Sequence, residues 1–163
     1  IAQYGGGICS YCQRTQRLHH YQWPWPEMVL LLAKTKEKVA THQHLATLSA
    51  LDVGGLATLS AQGVRSFSVG DLAGFAQAIN DYAGALAQQG LHSSHTQRLL
   101  ALLRQDREIL AVKGCGALGA DVVLFLIARQ HQAAIIARYA GFFSSWRQVP
   151  DCLSVNGLRI HPA

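Results

Sequence analysis

The residues best suited to chemistry lie in one glycine-rich stretch of the sequence. Lys113 is followed by the loop Gly114–Asp121, which contains three glycines and lies between two apolar runs, Ile109–Val112 and Val122–Ile127. Such runs predict buried strands, and strands on both sides would hold the loop rigidly. Because glycine lets backbone N–H groups approach a ligand closely, the stretch is a candidate phosphate-binding loop.

Two common nucleotide-binding motifs do not fit this loop. Gly114–Gly119 matches G-x-G-x-x-G in letters, but a dinucleotide fingerprint needs a helix at the third glycine and an acidic residue about 20 positions later. A β-type run follows instead, and the next acidic residue after Asp121 is Asp151. A Walker A loop needs its lysine after the glycines, whereas Lys113 precedes them. The residues alone leave two interpretations open, a ligand-binding loop and a tight connection between core strands.

Composition indicates a single globular domain. The chain has 163 residues, of which 50% are hydrophobic and 14% charged, so it can bury a core and is too apolar for disorder. Its apolar runs are too short to cross a bilayer, and its first residues do not form a signal peptide. We therefore expect a cytoplasmic protein with no membrane partner. The net charge of +5 comes from scattered cations, which does not favour a nucleic-acid partner.

The sequence predicts no metal site. Cys9 and Cys12 have a spacing that metal ligands use, but on a strand residues three apart point to opposite faces. His42 and His44 are two apart, whereas metal-binding pairs on a helix prefer a spacing of three or four. The cysteines are better explained as buried structural thiols in a reducing compartment.

The predicted elements run from strands to helices and back to strands. In chain order they are strands at 8–13, 17–23 and 28–33; helices capped by Thr41, at 56–62 ending at Gly63, from Asp71 to Gly90, and from a capping box at Ser94; the two strands around the glycine loop; a helix at 131–139; and a hairpin at 153–160. This segregation predicts an α+β fold in which helices pack on one face of a sheet.

The glycine loop and three other segments resemble one enzyme family. Lys113–Gly119 resembles the third signature of the GHMP small-molecule kinases (galacto-, homoserine, mevalonate and phosphomevalonate kinases), which is a lysine and a glycine-rich loop between strands. Tyr4–Tyr11 is similar to the glycine-then-strand segment that follows the family's Asp-bearing motif. Thr35–Leu45 is similar to the mevalonate-kinase segment beside the substrate, and the helices within 56–105 correspond to those of the family's C-terminal domain.

The resemblance implies a fold and a function. The fold would be ferredoxin-like, an antiparallel sheet with helices on one face, over about residues 1–140 of a single domain 1–163 with a helix or hairpin tail at 141–163. The chain would be the substrate-side C-terminal domain of an ATP-dependent kinase for a mevalonate-like alcohol. ATP, Mg²⁺ and the catalytic Asp would come from an N-terminal domain preceding Ile1, so the chain alone would be inactive. A homodimer is compatible with this interpretation.

The resemblance also implies two groups of site residues, none of them catalytic. The phosphate-side loop would comprise Lys113, Gly114, Cys115, Gly116, Ala117, Gly119 and Asp121. The substrate pocket would include Gly6, Gly7, Lys36, Thr41 and His44.

The loop departs from the family signature at three positions. Leu118 and Asp121 stand where the family usually has glycine, and Cys115 stands for Ser or Thr. A leucine adds bulk against a close ligand, and a carboxylate facing a phosphate repels it. The competing interpretation is a non-catalytic α+β module, including a degenerate kinase relative, that binds a small ligand or a partner.

Overall fold

The computed structural model describes residues 6–12, 14–36 and 52–149. Its elements are, in chain order, β1 (Ile8–Cys12), β2 (Arg17–Tyr21), β3 (Met28–Thr35), α1 (Val53–Ser68), α2 (Leu72–Gln88), α3 (Ser94–Leu103), β4 (Ile109–Cys115), β5 (Val122–Ala128), α4 (Gln132–Tyr139) and β6 (Phe143–Val149). None of these helices is both long enough and apolar enough to span a bilayer.

Four strands form one antiparallel sheet in the order β4-β5-β3-β6. Between β3 and β6 the chain runs strand, helices, strand, strand, helix, strand. In the sheet, β3 and β5 are the central strands, with β6 beside β3 and β4 beside β5. This is the ferredoxin-like arrangement. The predicted α+β, ferredoxin-like fold is confirmed.

One face of the sheet holds the main core. Val29 and Leu31 of β3 and Phe125 of β5 are fully buried there, against Leu100 of α3 and Ile135 of α4. Burying each such side chain contributes about 1.5–3 kcal/mol. The alternation of β3 explains the arrangement, since its odd-numbered residues point to these two helices and its even-numbered residues point away.

The opposite face is covered at one end by an aromatic cluster. The Trp25 ring stacks on Phe75 of α2, with centroids 5.2 Å apart, and meets Phe67 of α1 edge-on at 5.3 Å. Met28 and Leu126 of the sheet belong to the same cluster. The hairpin of β1 and β2 also packs here, so this end of the face carries a second layer that the sequence did not predict.

Two helices have bounds that differ from the predicted ones, and α1 begins at Val53 instead of residue 56. α1 does not end at Gly63, because this glycine lies inside the helix and lets it approach α2: a Cβ there would be 3.4 Å from the Ala78 Cβ. α3 is capped by Ser93 instead of Ser94, since the Ser93 hydroxyl accepts the Thr96 N–H at 3.0 Å. The predicted start of α2 is confirmed, as Asp71 caps it through the Gly74 N–H.

Residues 143–149, which the sequence placed in the C-terminal tail, form β6 of the main sheet. Trp146 of β6 pairs with Ala33 and Ser145 pairs with Lys34. As an edge strand β6 is exposed over much of its length, so it lacks the apolar run that marks a central strand. The rest of the tail, including the predicted hairpin, and the helix predicted after Thr41 lie outside the described residues.

A network of charged groups connects α4 to the turn before β4. The Asp106 carboxylate accepts hydrogen bonds from the Arg138 guanidinium, from the Tyr139 hydroxyl at 3.0 Å and from the Glu108 N–H at 3.0 Å. Burial alone would raise the pKa of Asp106, but these hydrogen bonds outweigh burial and hold the pKa below its ordinary value.

Asp106→Asn should lower the free energy of unfolding at neutral pH by about 1–3 kcal/mol, because the charge-assisted hydrogen bond from Arg138 is lost. A carboxyl group whose folded pKa lies below its unfolded pKa adds stability above the unfolded value and loses it as the pH falls through the folded value. Urea unfolding of both proteins should therefore show a difference that shrinks below about pH 4. A difference that stays constant down to the acid limit contradicts this role.

Candidate functional site

The start of α3 holds the middle of the glycine loop. The Leu118 carbonyl oxygen accepts the Ser93 N–H at 3.1 Å and the Thr96 hydroxyl at 3.2 Å. Within the loop, the Gly119 N–H donates to the Gly116 carbonyl oxygen at 3.1 Å. Ser93 and Thr96, which form the cap of α3, therefore also hold the loop through separate hydrogen bonds.

The end of β3 holds the other side of the loop. The Asp121 carbonyl oxygen accepts the Thr35 N–H at 3.1 Å. The buried Thr35 hydroxyl donates to the Ala120 carbonyl oxygen. The loop thus joins β4 to β5 and is also hydrogen-bonded to the end of β3 and to the start of α3.

Packing alone disfavours a side chain at all three loop glycines, and at Gly119, where φ is +66°, a Cβ would lie 2.8 Å from the His92 ring. Gly116 has φ +87°, and a Cβ there would clash with the Asp121 carboxylate. At Gly114 a Cβ would lie 2.6 Å from the Gly119 carbonyl oxygen. The two interpretations of the loop are therefore compatible: these glycines serve the connection between strands, whether or not a ligand approaches.

Leu118 occupies a backbone conformation that favours glycine. Its φ is +52°, and the left-handed region costs a non-glycine residue about 1–2 kcal/mol. The two hydrogen bonds to its carbonyl oxygen hold it there. Strained residues kept by their surroundings cluster at functional loops, and Leu118 is one of the two positions at which the loop departs from a glycine of the family signature.

His92 packs against the loop and was not predicted as part of the site. It is 5% exposed, and a Cβ at Gly119 would lie 2.8 Å from its ring. Its Nε2 atom has no hydrogen-bond partner among the described residues. Burial lowers the pKa of His92, and the charges of Lys113 and Arg104 lower it further, so the ring is neutral at pH 7. No local pattern identifies His92, because its contact with the loop spans distant parts of the sequence.

Lys113 lies at the end of β4, beside the loop and half-buried. Its Nζ atom is 5.3 Å from the centroid of the Tyr82 ring, a cation–π distance. The same atom lies 3.4 Å from the Gly114 carbonyl oxygen and 3.9 Å from Cys115 Sγ. The ammonium group is thus positioned by α2 and by its own strand.

A cavity of about 400 Å³ lies between the hairpin, α1, α2 and the sheet. It lies on the sheet face opposite α3 and α4, which we call the outer face. Its walls are mostly aromatic and aliphatic, with Trp23, Phe67 and Tyr82 among them, and Lys113 is the only charged residue among the described residues that line it. Few polar groups in a mostly apolar pocket are typical of small-molecule sites.

The structure brings some predicted site residues together and separates others. Gly6 and Gly7, with φ of +68° and +61°, lead into β1, which lines the same cavity as Lys113. Lys36 lies elsewhere, where its Nζ atom donates to the Gly141 carbonyl oxygen at 2.6 Å. Thr41 and His44 lie outside the described residues.

The fold is similar to parts of several solved enzymes. Mevalonate kinase of L. major in complex with R-mevalonate matches with a TM-score of 0.68 and 13% identity, over 87% of this chain and 48% of that one. Lactococcus lactis galactokinase complexed with galactose matches at 0.63 and 11%, over 90% and 50%. Mevalonate diphosphate decarboxylase from Enterococcus faecalis matches at 0.59 and 14%, over 89% and 51%.

These likenesses define the fold class. The chain spans about half the length of each of these enzymes and has the fold of that half, so the resemblance to GHMP enzymes is confirmed at the level of the fold. No protein-family model and no curated protein matches the sequence.

Gly116→Val should lower the free energy of unfolding by about 2 kcal/mol or more, because valine adds left-handed strain and a clash with Asp121. Leu118→Gly in the same loop should change it by less than about 1 kcal/mol, since relief of strain offsets the lost side-chain contacts. Urea unfolding measures both. Equal destabilisation by the two substitutions would mean that the loop backbone does not depend on the glycine positions.

Proposed function

We propose that the chain is the substrate-side half of an ATP-dependent kinase that phosphorylates a mevalonate-like alcohol. One observation carries the proposal: Lys113 and a glycine loop held by hydrogen bonds lie at the end of a sheet whose fold matches half of galactokinase and mevalonate kinase structures. A loop whose backbone is already fixed can position a phosphoryl group without reorganising during the reaction.

Lys113 supplies the positive charge in this proposal. Phosphoryl transfer is catalysed mainly by positioning and by electrostatic stabilisation of the transferred group. A half-buried ammonium acts more strongly than an exposed one because water screens it less. Since Lys113 also lines the apolar cavity, it would lie between the body of an alcohol in that cavity and the glycine loop.

The loop sets a condition on any phosphate that approaches it. The Asp121 carboxylate lies against Gly116, so a negative charge is built into the loop. A phosphate beside it needs Lys113 or a divalent cation to offset the repulsion. One carboxylate does not form a complete Mg²⁺ site, so we assign ATP and Mg²⁺ to the N-terminal half that the proposal requires.

We assign the docking of that N-terminal half to the hairpin of β1 and β2. These strands form a two-stranded sheet whose outer edges have no strand partner among the described residues. A two-stranded sheet is marginally stable by itself, and an open strand edge readily pairs with another chain segment. Cys9 and Cys12 on β1 are free thiols, but Cys9 is half-buried and Cys12 is exposed, so the prediction that they are buried is wrong. Free thiols suit the cytoplasmic location that we also propose.

The second candidate function is a non-catalytic module that binds a small ligand or a partner. The observation that favours it is the loop itself, because packing accounts for Gly114 and Gly116 and because Leu118 stands where close approach would need glycine. In this alternative the loop connects two strands, and the apolar cavity alone binds a ligand.

Phosphoryl transfer from ATP to a panel of small alcohols separates the two candidates. The 163-residue chain alone should give no turnover, whereas the product of the complete gene should phosphorylate one of the alcohols. In that complete protein Lys113→Met should lower kcat/KM by about 100-fold or more, the usual effect of removing one electrostatic contact to the transition state. Arg65→Met, at an exposed position of α1, is the matched control and should change nothing.

Three results count against the proposal. Turnover by the chain alone contradicts its dependence on another half. Wild-type activity of the Lys113→Met variant removes the role of the lysine. A complete gene product that transfers no phosphoryl group to any alcohol, while the chain still binds an apolar ligand, favours the non-catalytic module.

A further inference from the structure

The end of the outer sheet face that the aromatic cluster does not cover carries a group of cations. The proposed function does not use these cations. Lys34 pairs across the sheet with Ser145, and Leu32, two residues earlier on β3, pairs with Arg147 on β6. Alternation therefore directs Lys34 and Arg147 to the same face. Such diagonal neighbours on adjacent strands lie within reach of each other when their side chains are long.

These two cations line a concave surface that encloses a volume of about 730 Å³. Lys36, just after β3, lines the same surface, as do Ser145 and Asp121. Its size suits a small ligand, and three exposed cations are too few for the extended phosphate contacts of a nucleic acid.

The positive charge of this surface is not neutralised within the described part of the chain. Neither Lys34 nor Arg147 forms an ion pair there. Lys36 donates one hydrogen bond, to the Gly141 carbonyl oxygen, and an ammonium group has three donors. The acidic group of the described lining, Asp121, has its carboxylate against Gly116 in the loop. Lys34 and Arg147 carry like charges on neighbouring strands, and an anionic ligand between them would offset their repulsion.

We propose that this surface, the Lys34–Arg147 face, binds the diphosphate group of a small molecule. A guanidinium forms paired hydrogen bonds with two phosphate oxygens, and lysines act as point charges beside it. Three cations match the charge of a diphosphate better than that of a single phosphate, and Ser145 adds a neutral donor. The site goes beyond the proposed function, because it requires no catalysis and does not involve Lys113.

Calorimetric titration of the 163-residue chain with inorganic pyrophosphate at constant ionic strength tests the site. The wild-type chain should bind pyrophosphate, and bind it more tightly than inorganic phosphate or sulfate. Lys34→Gln with Arg147→Gln should weaken binding at least about tenfold. Arg65→Gln with Arg98→Gln removes the same net charge from exposed helix positions and should leave binding unchanged.

Competition identifies the source of the diphosphate. Displacement of pyrophosphate by ADP indicates a nucleotide, whereas displacement by an alkyl diphosphate indicates a phosphorylated substrate. Absence of pyrophosphate binding overturns the proposal, and so does equal weakening in both double variants, which would show an effect of net charge alone. Binding of phosphate as tight as that of pyrophosphate overturns the assignment to a diphosphate. None of these outcomes depends on phosphoryl transfer, so the site and the proposed function are tested separately.

Discussion

The structure depends on the hydrogen bonds that hold two carbonyl oxygens of the glycine loop. The Leu118 oxygen is held by the start of α3, and the Asp121 oxygen is held by Thr35 at the end of β3. Each bond contributes about 1 kcal/mol net, so together they offset the strain of about 1–2 kcal/mol in the left-handed leucine. The same bonds join the central strand, the helix above it and the loop into one unit.

Cations lie on both edge strands of the outer face of the sheet. Lys113 pairs with Leu124 on β5, Leu124 with Leu32 on β3, and Leu32 with Arg147 on β6. This row of four paired residues has a cation on each edge strand. At the usual strand spacing the backbones of Lys113 and Arg147 are about 14 Å apart. The apolar cavity lies beside Lys113 and the cationic surface lies beside Arg147, so one face of the sheet carries two chemically different surfaces.

The sequence predicted those elements whose structure depends on residues close together in the chain. Asp71 and the spacing of apolar residues after it identified α2, because a cap and an amphipathic face belong to the same few turns. β6 was not predicted, since an exposed edge strand has little hydrophobic periodicity in its sequence. It is recognised only by its pairing with β3 in the structure. His92 was missed for a related reason: its role comes from contact with Gly119, a residue far away in the sequence. The glycine loop was located correctly, but only the structure shows that packing already requires Gly114.

Amide hydrogen exchange of the loop's anchors tests most directly whether the fold itself holds the loop. If the hydrogen bonds to the Leu118 and Asp121 oxygens open only when the domain unfolds, the amide protons of Ser93 and Thr35 should be protected to within about tenfold of that of Phe125 in the core. Exchange of Ser93 and Thr35 at the rate of an exposed loop amide would contradict it, because the loop would then open independently of the sheet.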